Sequence, residues 1–330
     1  MNATIKDVAR ESGFSIATVS RVLNNTNASY SSKTAKKIKK VAQKLGYHKN
    51  NIAANLVKGT STTIAVIINS VKTNFSFEIL SGIQEEADKN HYSVIILYAG
   101  NQSDALTKQA LETAIDRSVS GILLVAMQLN QENTSLLEKA KIPYLFVSTH
   151  PSHPIEKFVS SDNHLITQTA VDHLIKMGHK KIGLVGIDHH TTGNERLAGY
   201  KKQMLANNLS IDSEFVQYGD YSYESGQKIM KKIAPLIKNG DLTAVIAASD
   251  MIGAGLIKAA KKAKIKIPDD LSIVSIDGTY ICEITSPELS SITQDFRQIG
   301  SLSVETLLKK KDSKFVPIKL IKRESVKNLI

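Results

Sequence analysis

Short apolar segments that alternate with helical segments are the feature that most constrains the fold of this 330-residue chain. The predicted strands are residues 63–69, 93–98, 121–126 and 144–148 in a first set, and residues 181–186, 215–218, 244–248 and 272–276 in a second. The predicted helices are residues 76–90, 102–117, 132–140, 163–177, 195–207, 222–237 and 250–263. Strands that alternate with helices form parallel sheets covered on both faces. The sequence therefore predicts two α/β lobes.

Positive charge is concentrated at the N-terminal end of the chain. Residues 1–60 contain 11 Lys and Arg against 2 Asp and Glu, whereas residues 61–330 contain 31 against 29. Clustered Lys and Arg gain free energy by displacing counterions from phosphates, so this distribution predicts a small module that binds a polyanion such as DNA. The alternative is a solvated basic tail, but the segment also has the apolar periodicity of a folded unit.

Composition and segment lengths exclude several protein classes. With 42% hydrophobic and 22% charged residues, the chain is predicted to be folded. No stretch reaches the roughly 18 uninterrupted apolar residues of a membrane span, and the first residues lack a secretory signal, so we expect a cytoplasmic protein without membrane contact. A single cysteine, Cys282, excludes an intrachain disulfide and a four-thiolate metal site.

The basic N-terminal segment has the apolar spacing of three short helices. Two helices are predicted on either side of a break at Gly13, and Thr4 and Ser15 offer side-chain oxygens that can cap them. A third helix over residues 33–45 places apolar residues on one face and lysines on the others, and Gly46 can end it. Two short helices joined by a glycine turn are a helix-turn-helix candidate.

Three runs in this segment resemble the headpiece of the lactose-repressor (LacI/GalR) family. Residues 5–9 read IKDVA, residues 15–24 read SIATVSRVLN, and residues 45–47 read LGY. In that family the second helix enters the major groove of operator DNA, and residues at its start read the base edges. The resemblance therefore implies a DNA-binding headpiece over residues 1–49.

The resemblance also assigns roles on the second helix. It implies phosphate and groove contacts for Ser15, Thr18 and Ser20, apolar base contacts for residues 16–17, and guanine recognition by Arg21. Alternatively, Thr18 and Ser20 are surface residues of a helix that serves packing, and they make no contact with DNA. The complete predicted DNA-binding set is Thr4, Ser15, Ile16, Ala17, Thr18, Ser20, Arg21, Asn24 and Leu56.

Residues 50–61 are similar to the hinge helix and linker of the same family. There, the hinge helices of a dimer form on operator DNA, and a leucine from each inserts into the central minor-groove step. Leu56 occupies that place, whereas Ala54 stands where many members have an arginine that contacts phosphate. A plain linker is the alternative interpretation.

The family resemblance extends through residues 62–330 and implies an effector-binding and dimerisation domain similar to periplasmic sugar-binding proteins. The matching runs are residues 162–163, 173–174, 178–179, 195–200, 249–250, 275–277 and 291–296. The chain is expected to cross between the lobes three times. The N-terminal lobe is expected to contain residues 62–161 and 294–320, and the C-terminal lobe residues 162–293 and 321–330. A last strand near residues 315–322 is expected to lead into the third crossover.

Ligands of such sheets bind at the carboxyl ends of the strands, and a cleft between two lobes is the default site. A carboxylate or a guanidinium can engage vicinal sugar hydroxyls two at a time, and an aromatic ring can stack on the apolar face of a sugar. The resemblance assigns charged contacts to Arg196 and Asp277 and an aromatic wall to Tyr221, and Phe75 can supply a second wall. The complete predicted effector-binding set is Phe75, Ser148, His190, Arg196, Tyr221, Ser249, Asp277 and Gln294.

Three positions depart from a lactose-type pocket. Ser249 stands where sugar-binding members often have asparagine, and Ser148 and Val125 replace polar residues, which argues against a simple lactose-like specificity. The alternatives are a surface ion pair for Arg196, helix capping for Asp277 or Asp250, and a core position for the aromatic rings.

No motif in the sequence supports an enzyme, a cofactor or a bound metal. The glycines of residues 183–186 and 253–255 lack the spacing of nucleotide-binding loops, and the His150–His153 and His189–His190 pairs lack the helical context of a zinc hydrolase, so surface loops are expected there. A Ser-His-Asp triad cannot be recognised from spacing. We therefore expect a protein without catalytic residues.

The sequence favours a dimeric repressor of carbohydrate-utilisation genes with a near-palindromic operator and a sugar or sugar derivative as effector. A homodimer is expected because the chain lacks the leucine-heptad tail that makes tetramers in the lactose repressor. One alternative is a regulator that responds to a purine or to a partner protein. The other is a sugar-binding protein without a DNA role, which leaves the basic headpiece unexplained.

Overall fold

A computed structural model describes residues 3–23, 30–47, 61–69, 74–100, 103–151 and 156–330 of the chain. The chain divides into two compact units, Met1–Ser61 and Thr62–Ile330. Each unit has hydrophobic cores of its own. None of the helices in the described ranges is long and apolar enough to span a membrane.

The described part of the N-terminal unit contains three helices: α1 (Ile5–Ser12), α2 (Ile16–Leu23) and α3 (Ser32–Lys44). Thr4 and Asp7 form a capping box that begins α1. Gly13 ends α1 with a φ of +74°, in the left-handed region that glycine enters without a Cβ penalty. The predicted helices and the turn between the first two are thus present, and the helix-turn-helix prediction is confirmed.

The core of the headpiece fixes which face of α2 points outward. Val8 of α1, Val19 and Val22 of α2, and Ile38 of α3 have no exposed surface. Burying a side chain of this size contributes roughly 1.5 to 3 kcal/mol, so the contacts hold α2 in one orientation. The residues on the opposite face of α2 therefore remain at the surface.

The larger unit begins with alternating strands and helices. In chain order its elements are β1 (Thr63–Ile68), α4 (Ser76–Lys89), β2 (Ser93–Tyr98), α5 (Asp104–Asp116), β3 (Gly121–Val125), α6 (Gln131–Ala140), β4 (Tyr144–Val147), β5 (Phe158–Ser160), α7 (Asn163–Lys176), β6 (Ile182–Ile187), α8 (Thr191–Ala206), β7 (Val216–Tyr218), α9 (Tyr223–Lys238), β8 (Ala244–Ala247), α10 (Asp250–Ala263), β9 (Ser272–Asp277), α11 (Ile281–Ile284), β10 (Ser290–Gln294), α12 (Phe296–Lys309), β11 (Lys314–Phe315) and β12 (Ile318–Ile321). A short 3-10 helix, Ser213–Phe215, precedes β7.

These strands form two six-stranded sheets, one in each lobe. The N-terminal lobe has the order β11-β5-β4-β3-β1-β2, and the C-terminal lobe has the order β12-β10-β9-β8-β6-β7. Every strand pair is parallel except β10 with β12, which is antiparallel. The predicted two-lobed α/β fold with parallel sheets is confirmed. Among the described strands, β12 is the one that runs antiparallel to its neighbour.

Assignment of the C-terminal segment to the lobes differs from the sequence prediction. One strand was predicted near residues 315–322, but the segment forms two strands that belong to different sheets. Lys314 and Phe315 of β11 pair with β5 in the N-terminal lobe, whereas Ile318–Ile321 pair with β10 in the C-terminal lobe. Residues 318–320 therefore lie in the C-terminal lobe and not in the N-terminal one. Val316, which is buried, and Pro317 make the crossover, and the imide of Pro317 has no N–H to donate to either sheet.

The core of each lobe lies on both faces of its sheet. β3 and β6 have no exposed residue, as the continuous apolar sequence of a central parallel strand predicts. Because most strands run in the same direction, the turns at their carboxyl ends lie along one edge of each sheet. In the C-terminal lobe, Tyr221 and Ser249 follow β7 and β8 at this edge, and Asp277 and Gln294 end β9 and β10 there.

Candidate nucleic-acid surface and interlobe site

The outward face of α2 carries most of the predicted base-contacting residues. Ile16 is 47% exposed, and Ala17 and Arg21 are also exposed. The start of α2 therefore has both the apolar and the cationic groups that reading a major groove requires.

Ser15 and Thr18 form the N-terminal cap of α2. The Ser15 Oγ accepts from the Thr18 backbone N at 3.2 Å and lies 2.9 Å from the Thr18 Oγ1. This cap leaves the first backbone N–H groups of α2 at the surface, where helix N-termini attract phosphate. Ser20 is half-buried on the same helix.

Thr4 has a structural role in α1. Its Oγ1 donates to the Asp7 Oδ2 at 2.7 Å, and its backbone N donates to the same oxygen at 3.0 Å. The hydroxyl is therefore engaged in the capping box, which favours capping over the predicted DNA contact. Two other members of the predicted set, Asn24 and Leu56, lie outside the described residues.

Arg196 is a buried cation of the C-terminal lobe. It is buried on α8, where its Nε donates to the Asn163 Oδ1 at 3.0 Å and its Nη1 donates to the Ala248 carbonyl oxygen at 2.7 Å. The predicted alternative of a surface ion pair is wrong. Within the described residues the Nη2 group has no hydrogen-bond partner, so it remains available to a ligand.

Tyr221 places an aromatic ring next to this guanidinium. The Arg196 Cζ lies 5.8 Å from the centre of the ring, and the Tyr221 hydroxyl donates to the Asp188 Oδ1 at 3.0 Å. Tyr221 adopts a φ of +62°, so the turn after β7 is held in the left-handed region. Burial raises the pKa of the Tyr221 hydroxyl, which stays protonated and acts as a donor.

Asp277 and Gln294 end the neighbouring strands β9 and β10. Both are buried, and the Gln294 Nε2 donates to the Asp277 Oδ1 at 3.0 Å. Burial, followed by repulsion from Asp250, raises the pKa of the Asp277 carboxyl well above its ordinary value, whereas Arg196 opposes the shift. Asp277 and Arg196 form no ion pair in the described structure.

Ser249 and Asp250 form hydrogen bonds to other residues of the protein. The Ser249 Oγ donates to the Tyr221 carbonyl oxygen at 2.7 Å and accepts from the Ile252 N at 3.1 Å, so it caps α10 and holds the Tyr221 turn. The Asp250 carboxylate accepts from Ser275 at 2.6 Å and from the Thr279 backbone N at 2.6 Å. The structure therefore favours positioning roles over direct effector contacts for these two residues.

The remaining predicted effector residues differ in exposure. Phe75 is buried in the core of the N-terminal lobe and stacks on Phe296 with ring centres 4.8 Å apart, which favours the core alternative over a ligand wall. Ser148 follows β4 with a φ of +59° and is half-buried. His190 is exposed at the start of α8, and its backbone N donates to the Asp188 Oδ1 at 3.1 Å.

His150 joins the two lobes, although the sequence predicted a plain surface loop. Its Nδ1 lies 3.3 Å from the Glu195 Oε1, and its ring packs edge-on against Phe158 with centres 4.5 Å apart. Glu195 in turn accepts from the Asn163 Nδ2 at 2.9 Å. A chain of polar contacts therefore runs from the N-terminal lobe to the Asn163 amide, which orients Arg196.

A cavity of about 380 Å³ lies between the lobes at the carboxyl ends of the strands. Gln128 from the N-terminal lobe donates a short hydrogen bond to Thr191 at its edge. The described residues that line it are Asn69, Asp104, Thr107, Ala126, Met127, Gln128, Leu129, Asn130, Thr149, Asp188, His190, Thr191 and Thr192. Of these, the predicted effector-binding set contains His190 alone, and the family resemblance also places Thr192 in a loop that touches ligand in some relatives. Asn69 ends the predicted strand of residues 63–69, and Asp188 lies two residues after the predicted strand of residues 181–186, so the carboxyl-end rule was the signal that could have found them.

Comparison with family models gives two matches. Residues 4–50 match the model described as bacterial regulatory proteins, lacI family, and residues 171–326 match the model described as a periplasmic binding protein-like domain. The first match covers the helix-turn-helix, and the second covers most of the C-terminal lobe.

Individual relatives match over nearly the whole chain. Catabolite control protein A of Priestia megaterium is 30% identical over 311 residues, which are 94% of this chain and 92% of that protein. The lac repressor dimer bound to operator and the anti-inducer ONPF has a TM-score of 0.87 at 28% identity, with 99% of this chain and 100% of that chain covered. The regulator CCPA from Weissella paramesenteroides, with bound glucose, has a TM-score of 0.73 at 31% identity, with 81% and 99% covered. The chain therefore belongs to the lacI family of bacterial regulatory proteins.

Proposed function

We propose that this chain represses carbohydrate-utilisation genes, with an operator affinity that is set by a small sugar-type effector bound between the lobes. The observation that carries the proposal is the division of α2 into two faces. Val19 and Val22 are fully buried, whereas Ile16 is 47% exposed beside exposed Ala17 and Arg21. This arrangement fits a helix that enters a major groove with its N-terminal residues against the bases.

The effector half of the proposal is supported by buried polar groups of the C-terminal lobe. The Arg196 guanidinium lies next to the ring of Tyr221, and the Gln294 amide donates to the Asp277 carboxyl at the ends of β9 and β10. These groups match what a sugar offers, namely hydroxyls that donate and accept hydrogen bonds and an apolar face that stacks. The glucose-bound relative from Weissella paramesenteroides supports the same ligand class.

A homodimer is the proposed assembly, and it implies a near-palindromic operator because each half-site meets one headpiece. The lac repressor relative is a dimer on its operator. On the N-terminal lobe of this chain, the edge strand β2 exposes Ile96 and Tyr98 at 55% and 60%. Exposed apolar side chains on an edge strand favour association with a second copy.

The two-lobed fold offers a way for the effector to control operator affinity. An effector that binds one orientation of the lobes more tightly shifts the population towards it, and operator affinity changes with it. The contacts that join the lobes, including His150 with Glu195, would then form in one orientation and loosen in the other. Whether the effector releases or strengthens operator binding depends on which orientation it prefers.

The test is fluorescence-anisotropy binding of the full chain to a pool of palindromic operator candidates at one stated salt concentration. The titration is repeated with sugars, sugar phosphates and purines. Release or tightening by a sugar supports the proposal and assigns that sugar as inducer or corepressor. A response to purines alone assigns a different effector class, and the absence of any sequence-specific DNA binding contradicts the proposal.

A further inference from the structure

We infer that Glu195 is a positioning residue that transmits the orientation of the two lobes to the Arg196 guanidinium, and that a proton on His150 strengthens this transmission. The inference rests on the proposed function, because it adds the proton as a second input to the proposed effector site. Its evidence is a series of hydrogen bonds that begins on the N-terminal lobe and ends at the guanidinium.

The Asn163 amide has a fixed orientation in this series. The Arg196 Nε can only donate, so the Asn163 atom that it contacts at 3.0 Å is the amide oxygen. The amide nitrogen of Asn163 therefore faces Glu195 and donates to its Oε2 at 2.9 Å. The other carboxylate oxygen, Oε1, lies 3.3 Å from the His150 Nδ1 on the opposite lobe. One carboxylate thus contacts both the amide that orients Arg196 and the N-terminal lobe.

The helices α7 and α8, which carry Asn163 and Arg196, are packed as one body. Thr167 on α7 donates to the Arg196 carbonyl oxygen at 2.8 Å, and both residues are buried. The helices also touch at Gly199, where a Cβ would clash with the His164 carbonyl oxygen. Close-packed helices of this kind cannot slide past each other without steric overlap. The part of the series in the C-terminal lobe therefore moves as a unit when the lobes reorient.

The imidazole of His150 is held on the N-terminal lobe by two aromatic rings. Its ring centre lies 4.5 Å from that of Phe158 on β5 and 5.8 Å from that of Phe315 on β11. Phe158 and Phe315 also pack on each other, with centres 5.0 Å apart. Because both ends of the series are fixed within their own lobes, a change of lobe orientation acts on the distance between His150 and Glu195.

The charged surroundings of this imidazole are mixed. The described charged side chains within three residues of the groups that contact it are Glu156, Lys157, Glu195, Arg196, Asp312 and Lys314. Lys157 and Asp312 pair with each other at 2.6 Å, and Glu156 lies 3.5 Å from a tyrosine hydroxyl. His153 lies outside the described residues. Glu195 is therefore the described charged group that contacts the imidazole.

A proton on His150 converts its contact with Glu195 into an ion pair. Histidine gains and loses a proton near neutral pH, and hydrogen bonds between ionised partners are stronger than those between neutral ones. The two side chains are 40% and 17% exposed. A partly exposed ion pair favours one state by about two- to fivefold, so protonation should shift the lobe populations by a similar factor.

Other contacts between the lobes lack this dependence on a proton. Two further described hydrogen bonds join the lobes, from Gln128 to Thr191 and from Asn74 to Met251. Neither pair contains a group that titrates near neutral pH. Among these three contacts, the one made by the imidazole can therefore make the lobe orientation depend on pH.

Loss of the contact between the lobes reaches Arg196 through Glu195. When the lobes separate at this point, the carboxylate loses a partner and can turn towards water. The buried Nδ2 of Asn163 is then left without its acceptor, which is unfavourable. The amide can relieve this cost only by turning, and the Arg196 Nε then loses its own acceptor. The lobe orientation that holds Glu195 therefore also holds the guanidinium.

The first experiment measures the lobe orientation directly, without effector or operator. Spin labels are attached to the full chain at Lys139→Cys on the N-terminal lobe and Lys202→Cys on the C-terminal lobe, which are exposed positions, whereas Cys282 is buried. Labelled protein is diluted into unlabelled protein, so that double electron-electron resonance reports the distance within one chain. From about pH 7.5 to about pH 5.5, the population with the lobe distance of this structure should rise about two- to fivefold.

His150→Gln should lose this pH dependence. The matched control is His164→Gln, which removes an exposed imidazole at the start of α7 and should keep it. His173 and His179 are present in every variant, so their titration does not affect the comparison. An unchanged pH dependence in His150→Gln, or its absence from the original protein, overturns the inference.

The second experiment tests whether Glu195 positions Arg196. Isotope labelling of arginine alone gives the Nε–H resonances of the full chain, and Arg196→Lys identifies the resonance of Arg196. Glu195→Ala should speed the exchange of this proton with water by about tenfold, because its acceptor is no longer held. Glu195→Gln, whose amide oxygen can still accept from Asn163, should keep slow exchange but lose the pH dependence of the lobe distance. Slow exchange in Glu195→Ala overturns the positioning role.

Operator binding separates this inference from the proposed function. Anisotropy titrations compare the effector-free original protein with His150→Gln, and at about pH 5.5 their operator affinities should differ by about two- to fivefold. If both bind operator with equal affinity at each pH, the repressor proposal stands and the inference is overturned. If the original protein binds no specific operator, the proposed function fails, whereas the spin-label and arginine measurements still decide whether the lobes and Arg196 are linked.

Discussion

The Tyr221 hydroxyl donates to the Asp188 carboxylate at 3.0 Å and thereby ties the turn after β7 to the turn after β6. The same ring lies 5.8 Å from the guanidinium carbon of Arg196. A single side chain thus links a carboxylate of the interlobe cavity to the buried cation beside it. This arrangement explains why the two groups are held close together although they lie on different elements.

The first prediction concerns this hydrogen bond. Tyr221→Phe keeps the ring but removes the donor to Asp188, so we expect effector binding to weaken by about 0.5 to 1.5 kcal/mol. Operator affinity in the absence of effector should not change. Calorimetry checks the result, and the control is Tyr218→Phe, which alters a half-exposed ring stacked on His189. Equal losses in both variants would contradict a specific role for the Tyr221 hydroxyl.

Arg21→Ala is expected to weaken operator binding by roughly 1 to 3 kcal/mol and to relax the preference for one base, because a bidentate arginine contact to guanine is lost. Effector affinity should stay the same. The matched control is Arg10→Ala, which removes an equal charge from α1, where Arg10 pairs with Asp7 at 2.7 Å. Anisotropy titrations on cognate and altered operators distinguish the two. If both variants lose affinity equally on all sequences, Arg21 contacts phosphate and not a base.

Asp277→Ala is expected to abolish the response to effector while operator binding remains. The carboxylate lies at the end of β9, accepts from Gln294 and has no ion pair with Arg196 in the described structure. Asp277→Asn, which imitates the protonated carboxyl, should retain part of the response. Dose-response curves of operator binding measure both variants. A normal curve for the alanine variant would remove Asp277 from the effector site.

Ser249→Ala should lower the free energy of unfolding of the effector domain by about 1 to 2 kcal/mol, since it removes the cap of α10 and leaves the Tyr221 carbonyl oxygen without its donor. Ser103→Ala, which removes the cap of α5, is the matched control, because among the described residues the Ser103 Oγ accepts from the Leu106 N and forms no second hydrogen bond. Only the Ser249 variant should also lose effector affinity. Urea denaturation and calorimetry provide the two measurements.

Acidification should destabilise the protein through two buried histidines. Burial lowers the pKa of His173 and of His179 below their ordinary value of 6.5. Above 6.5 both residues are neutral in the folded and unfolded chain, so their full contribution to stability is present. As the pH falls below 6.5, the unfolded chain binds protons that the folded chain does not, so the free energy of unfolding decreases.

The measurement is the urea midpoint between about pH 7.5 and about pH 5.5. The decrease on acidification should be smaller in His179→Gln, because this position no longer titrates. His91→Gln, on an exposed turn after α4, is the control and should follow the original protein. An unchanged decrease in the His179 variant would show that acid instability arises elsewhere.

Sequence periodicity predicted most of the regular elements because each central strand and each helix carries its own pattern. The strand over residues 93–98 and the helix over residues 250–263 were predicted to the residue. The strands β5 and β11 contain three and two residues, too few to show a period. The longer strand β10 and the helix α12 were not predicted either. The start of α8 was predicted four residues late, since Thr191 and Thr192 lack the apolar spacing of a helix.

Side-chain roles were less predictable, because they depend on contacts between distant residues. Arg196, Tyr221, Asp277 and Gln294 lie together as expected, although their roles in binding stay predictions. Phe75 looked like a ligand wall, but its stacking on Phe296 joins residues that are far apart in the sequence. Whether a carboxyl or amide group is satisfied depends on the same distant contacts, so the free acceptor of Asn69, Oδ1, appears only in the folded chain.

The central claim is that operator and effector affinities are coupled, and thermodynamic linkage gives its most direct test. Operator affinity is measured with and without saturating effector, and effector affinity is measured with and without saturating operator. The account predicts that the two affinity ratios are equal, because coupling between two sites is reciprocal. An effector that binds with the same affinity whether or not the operator is present would contradict it.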